Sequence, residues 1–234
     1  AEKQLLWKAL QSVRRSGRPA VAQLLGPTGS GRSRLAQWLC EAAHRGGSAF
    51  ALTIEATHVH GIGQAVLDAL QGFLAVRGLG SSQVEDCLVG WMGRDDLTPV
   101  LAAALVSPTP SPSAETLATH ALRCLSRVRP LVLVIDECGV VALPFIRSLS
   151  SQDHPLLVVR IGETPLALDG PTVTLQPLEL GAMIALIRDR VPCDDTTGAL
   201  LAQRCHGSPA VAVRTLEHLI DSGQASGDLS DAAL

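Results

Sequence analysis

The stretch from residue 20 to residue 44 constrains this chain more than any other. An apolar run over residues 20–25, broken only by Gln23, passes at once into Gly26-Pro27-Thr28-Gly29-Ser30-Gly31-Arg32-Ser33, and an amphipathic pattern follows over residues 33–44. A buried strand that enters a helix through a glycine-rich turn is the predicted local geometry. Glycines let such a turn curl until its N–H groups face one point, and the helix N-terminus adds partial positive charge beneath them. The turn can therefore cradle phosphate. Its spacing fits G-x-x-x-x-G-K-[ST] at every defined position but one, where Arg32 replaces lysine. Ser33 would place its hydroxyl on Mg²⁺, and Arg32 would offer the β and γ phosphates a planar guanidinium. Arg34, next in the helix's first turn, is grouped with the phosphate-binding residues.

A second segment has the complementary chemistry. Leu131-Val132-Leu133-Val134-Ile135 is a pure branched-aliphatic run that ends in Asp136-Glu137. Asp136, at the carboxyl end of a strand, can hold Mg²⁺ through water, while Glu137 can orient and polarise an attacking water. Further strands are predicted at residues 49–54, 156–161 and 172–175, and helices at 2–13, 62–76, 84–92, 97–106 and 114–127. Strands separated by helices of this length form parallel sheets covered on both faces. After Pro177 only helical patterns return, at 178–191, 196–205 and 209–222, before a polar end.

These segments resemble the signal-transduction ATPases of the AAA and STAND groups, particularly the modules fused to bacterial kinases and transcription regulators. The resemblance covers nearly the whole chain. It implies an α/β P-loop NTPase fold, with a five-stranded, mostly parallel sheet between helices followed by a small helical lid. The division expected is a nucleotide-binding domain over residues 1–176, a lid over 177–223 and a tail over 224–234. It implies adenine nucleotide (ATP or ADP) and Mg²⁺ as cofactors, bound by residues 26–34 with Ser33 and Asp136 on the metal and with Glu137 and Arg32 catalytic. In that group a glycine, a variable residue and a proline lie near the adenine, a pattern that Gly207-Ser208-Pro209 matches. A plain helix corner would favour the same residues. Arg160 stands near the group's sensor position, a few residues early, and reads equally as a packing or surface arginine.

Composition narrows the partners. Apolar residues make up 47% of the chain, aromatics only 3%, and tyrosine is absent, so Leu, Val and Ala must build the core. A formal charge of −3 weighs against a general nucleic-acid or membrane coat. Six cysteines without a CxxC pair read as reduced apolar fillers and point to a cytoplasmic setting, and the histidines, His58 and His60 included, have no metal-ligand spacing. No stretch has membrane-spanning length, and both ends of the chain read as cuts from a larger protein. The expected role is an ATP-binding switch with slow hydrolysis, acting on a fused or partner domain, alone or as a homo-oligomer. The alternatives are a nucleotide-binding scaffold that no longer hydrolyses, and a DNA-associated ATPase of initiator or transposition type.

Overall fold

The computed structural model describes residues 1–55, 61–107, 109–137, 139–151 and 153–222. His58, His60, Cys138 and the expected polar tail lie outside them. In chain order the elements are α1 (Glu2–Ser16), β1 (Ala20–Leu25), α2 (Arg32–Arg45), β2 (Phe50–Glu55), α3 (Gly61–Phe73), α4 (Ser81–Met92), α5 (Thr98–Val106), α6 (Ala114–Val128), β3 (Leu131–Asp136), α7 (Leu143–Ser150), β4 (Leu156–Gly162), β5 (Thr172–Thr174), α8 (Leu180–Arg190), α9 (Asp195–Arg204) and α10 (Pro209–Asp221).

The strands form one parallel sheet in the order β2-β3-β4-β1-β5. The register sets Glu55 opposite Asp136 and Ile135 opposite Arg160. Strands β3 and β4 are buried and, Arg160 apart, apolar on both faces until the end of β3, because both faces are covered, the usual condition of inner parallel strands. The carboxylate of Asp136 is thereby set at the strand's carboxyl end, where the aliphatic run stops.

By compactness the chain divides into two units, Ala1–Leu24 with Ser33–Val173, and Leu25–Arg32 with the chain from Thr174 onward. In the first, α6 turns Leu117, Ala118, Ala121, Leu122 and Leu125 inward at helical spacing to meet Leu133, Ile135 and Val158 of the sheet. Each fully buried leucine contributes about 1.5–3 kcal/mol relative to exposure. Three of the six aromatics, Phe50, Phe73 and Trp91, meet with centroids 5.2, 5.6 and 5.8 Å apart. Gln23, the polar interruption of β1, is satisfied by a reciprocal pair of hydrogen bonds with the backbone of Leu166, at 3.2 and 2.9 Å.

Two features depart from the sequence pattern. The helix expected over 62–76 stops at Phe73, because the chain turns left-handed at Ala75 (φ 54°) while Val76 N–H reaches back to the carbonyl of Gln71 and Ala75 N–H to that of Gly72. This is a Schellman ending, and it keeps Leu74 and Val76 buried after the helix has ended. The pattern also names no helix between β3 and β4, where α7 is short and opens on Pro144.

In the second unit α8, α9 and α10 close a core of Met183, Ile187, Leu201, Ala202, Ala212 and Leu216. Asp194 caps α9 by accepting from Thr197 N–H at 2.7 Å, and Ser208 caps α10 by accepting from Val211 N–H. Gly207 (φ 74°) makes the corner between them, where a Cβ would lie 2.7 Å from that of Pro177. Among the described residues no helix is long and apolar enough to cross a membrane.

Candidate functional site

The turn between β1 and α2 owes its shape to glycine. Gly26, Gly29 and Gly31 take φ values of 148°, 82° and 94°, which side chains other than glycine's rarely adopt, and a Cβ on Gly31 would meet open space. The loop therefore has room on the side that Gly31 presents. Ser30 N–H closes the turn onto the carbonyl of Pro27 at 3.1 Å. Helix α2 starts at Arg32, one residue earlier than the pattern predicts, which puts the loop's last residues on a helix N-terminus.

Among the described residues, two buried polar atoms of this loop have no hydrogen-bond partner, the Oγ of Ser30 and the Nη1 of Arg32. A guanidinium with 7% exposure and an idle N–H calls for an anion. Arg34, also in the first turn of α2, is exposed.

Ser33 begins the chain's return to the first unit. Its Oγ donates to Oδ2 of Asp136 at 2.7 Å, joining positions 103 residues apart. These are the two side chains that the sequence assigns to one cation, and an adjacent hydroxyl and carboxylate are oxygen donors of the kind Mg²⁺ takes. Glu137 follows in an exposed position with φ 51°, a left-handed conformation that costs a non-glycine residue roughly 1–2 kcal/mol. Strain of this kind tends to persist where function holds it.

In the second unit the loop meets α10. The carbonyl of Gly29 accepts from Ala210 N–H at 3.2 Å, and the hydroxyl of Ser208 lies 3.5 Å from the same oxygen. A Cβ on Gly29 would stand 2.7 Å from that hydroxyl. Pro209, partly buried, occupies the first position of α10 between these two contacts. Sequence reasoning singles out Gly207-Ser208-Pro209 but not Ala210, whose contribution is a backbone N–H and leaves no mark on residue type.

Arg160 is buried in β4, and its Nη1 donates to the carbonyl of Thr164, so the guanidinium ties the turn that follows the strand. It lies over Gly162, where a Cβ would collide with it. The described cysteines are free. Burial pushes the Cys40 thiol up to about 11, as expected of an apolar filler.

No family model matches this chain, and no curated protein matches it. Among solved structures it is similar to Cdc6p from Pyrobaculum aerophilum, with a TM-score of 0.63 at 16% identity over 97% of this chain and 62% of that one. It is also similar to Drosophila ORC bound to DNA, with a TM-score of 0.59 at 15% identity over 95% of this chain and 56% of that one. The chain thus spans less than two thirds of the length of either. At such identity the likeness is one of architecture: the chain has the α/β fold of these two structures, a five-stranded parallel sheet between helices followed by a helical C-terminal region.

Proposed function

We propose that this chain is a nucleotide-controlled switch that binds ATP with Mg²⁺ on the loop of residues 26–33 and hydrolyses it slowly. The hydrogen bond from Ser33 to Asp136 carries this reading, because it joins the two cation ligands expected from separate motifs. Bound ATP would supply the reactive γ-phosphoryl group and Mg²⁺ its charge neutralisation. The protein's part is to bind and orient. Backbone N–H groups at Gly29 and Gly31 receive phosphate, the idle Nη1 of Arg32 gains its anion, Ser33 and Asp136 hold the cation, and Glu137 aligns water.

Pro209 belongs to the adenine end of the same reading, since its neighbours hold the loop at Gly29. A fused or partner protein, or a second copy of the chain, would receive the switch's output, and the cysteine chemistry suits a reducing cytoplasm. Binding on the scaffold pattern, without turnover, is the second reading. Arg32 favours it, because a guanidinium grips one phosphate in a fixed fork whereas an ammonium can follow charge as it shifts. ORC was solved bound to DNA, but an acidic chain gives little support to transferring that role.

Titration calorimetry with ATP, with and without Mg²⁺, together with steady-state phosphate release, tests the reading. Mg²⁺-dependent binding that Ser33→Ala and Asp136→Asn both weaken is expected. Binding without turnover would leave the scaffold reading, and no binding by the folded chain would overturn both.

A further inference from the structure

Elsewhere in the first unit, two side chains converge on one ring nitrogen of a third. His120 and Cys124 lie four residues apart on α6 and so share a face. Asp95 comes from the turn that leads into α5. Its Oδ2 is 2.8 Å from the Nε2 of His120, and the Sγ of Cys124 is 3.7 Å from that same Nε2. The three donor atoms all lie within 4.8 Å of one another. His120 and Cys124 are buried while Asp95 is exposed.

This is not the arrangement of a proton relay, in which base and orienting acid use opposite ring nitrogens. Here both partners compete for one position. If Nε2 carries hydrogen it donates to Asp95, and the thiol then faces a nitrogen that cannot accept from it. If Nε2 is bare, the carboxylate faces a lone pair. A cation in the middle satisfies all three groups at once.

We propose that Asp95, His120 and Cys124 form a binding site for a zinc-class divalent cation. Thiolate, imidazole and carboxylate are the donors such a metal takes, and tetrahedral bonding at its usual bond lengths separates donors by about 3.3–3.6 Å. The sulfur–nitrogen distance is near this value, and the oxygen–nitrogen distance falls about half an ångström short of it. Asp95 is already oriented for the role. Its Oδ1 is occupied by Leu97 N–H, Thr98 N–H and the Thr98 hydroxyl at 3.0, 2.9 and 3.0 Å, which leaves Oδ2 for a ligand. Beside His120 lies a cavity of about 390 Å³, lined also by Glu115, Thr116, Thr119 and Arg123, from which water would reach a fourth position.

Positive charge opposes the cation, since Arg123 and Arg127 both act on the Cys124 thiol. The Nη2 of Arg123 lies 3.2 Å from the Nδ1 of His120, where it donates to a bare nitrogen. On binding, the cation takes Nε2, the ring's hydrogen moves to Nδ1, and the thiol gives up its proton to solvent. Arg123 must then swing into the cavity that it lines.

Cobalt(II) added to the full chain without nucleotide tests the site, because a thiolate–cobalt bond gives a near-ultraviolet charge-transfer band and tetrahedral coordination gives strong visible bands. Both are expected at one equivalent, displaced by zinc. Cys124→Ser should lose the charge-transfer band while keeping its circular dichroism, and Cys205→Ser should keep the band. Asp95→Asn should weaken binding tenfold or more, as expected for loss of a ligand. Arg123→Gln, which removes the guanidinium's charge and offers an amide oxygen able to accept from Nδ1, should tighten it. Absence of the band in the parent, or its persistence in Cys124→Ser, would overturn the proposal, as would weaker binding in Arg123→Gln. None of these readouts depends on the phosphate loop.

Discussion

Arg32 decides what the proposed phosphate loop can do. The motif is legible in sequence because each of its glycines answers a backbone requirement, and Gly29 and Gly31 do take the left-handed angles the motif needs. What residue types could not convey is that Arg32 is nearly buried with an idle N–H, a state that is costly unless an anion fills it. Arg32→Ala should therefore weaken ATP binding by about tenfold to a hundredfold, the value of a charged hydrogen bond, as read by calorimetry. Unchanged affinity would mean that Arg32 does not meet phosphate. Arg32→Lys should keep the affinity and raise the rate of phosphate release, since a compact ammonium can follow the moving charge; a rate that stays at zero would put the defect elsewhere. Glu137 calls for a separate measurement. Glu137→Gln leaves both size and backbone as they are, so affinity should persist while turnover falls on the order of a hundredfold or more, the contribution of a positioned base. A loss of affinity instead would make Glu137 a ligand of the nucleotide or its cation.

Helix α3 shows what periodicity can and cannot convey. Its apolar spacing continues to Val76, and Val76 is indeed buried, yet the helix has ended three residues earlier at Phe73. Burial and helicity come apart there because a Schellman turn carries the apolar side chains onward without the helix. The pattern had no glycine to mark the end, since Ala75 holds the left-handed position that glycine usually takes. That is a correctable strain on an exposed residue. Ala75→Gly relieves roughly 1–2 kcal/mol of left-handed cost and gives back about 0.4–1 kcal/mol of unfolded-chain entropy, so the domain should gain about 0.5–1 kcal/mol. Denaturant midpoints at unchanged slope would show the gain, and a loss would mean that the observed turn is not the native one. Helix α7 was illegible for a different reason. Eight residues opening on a proline present too few turns for a period to emerge, although Phe145, Ile146 and Leu149 are all buried against the sheet domain's core.

At the scale of the molecule, alternating aliphatic runs and amphipathic segments were enough to anticipate a parallel sheet, because an inner parallel strand has no polar face to hide. The order of the strands was not, since nothing in a strand's composition names its neighbours, and β4 stands between the strands that carry the loop and Asp136. Nor could composition foresee that the loop of residues 25–32 belongs to the same compact unit as α8, α9 and α10. That grouping rests on backbone bonds such as the one from Ala210 to Gly29, which any residue but proline could make. It leads to a prediction about the whole chain. A ligand that binds only the folded state stabilises it by about 2.7 kcal/mol when present at a hundred times its Kd. For a chain of this size each kcal/mol moves the melting temperature by roughly 2–4 °C, so saturating ATP with Mg²⁺ should raise it by about 5–10 °C. Asp136→Asn should keep the part of the shift that ATP produces in EDTA and lose the part that Mg²⁺ adds, because the carboxylate that receives the Ser33 hydroxyl is the one that would receive the cation. Amide exchange should slow in α10 on ATP addition, since a loop fixed by phosphate presents the Gly29 carbonyl more steadily to Ala210. If ATP slows exchange around α2 but leaves α10 unchanged, the lid does not sense the loop, and the chain binds nucleotide without transmitting it.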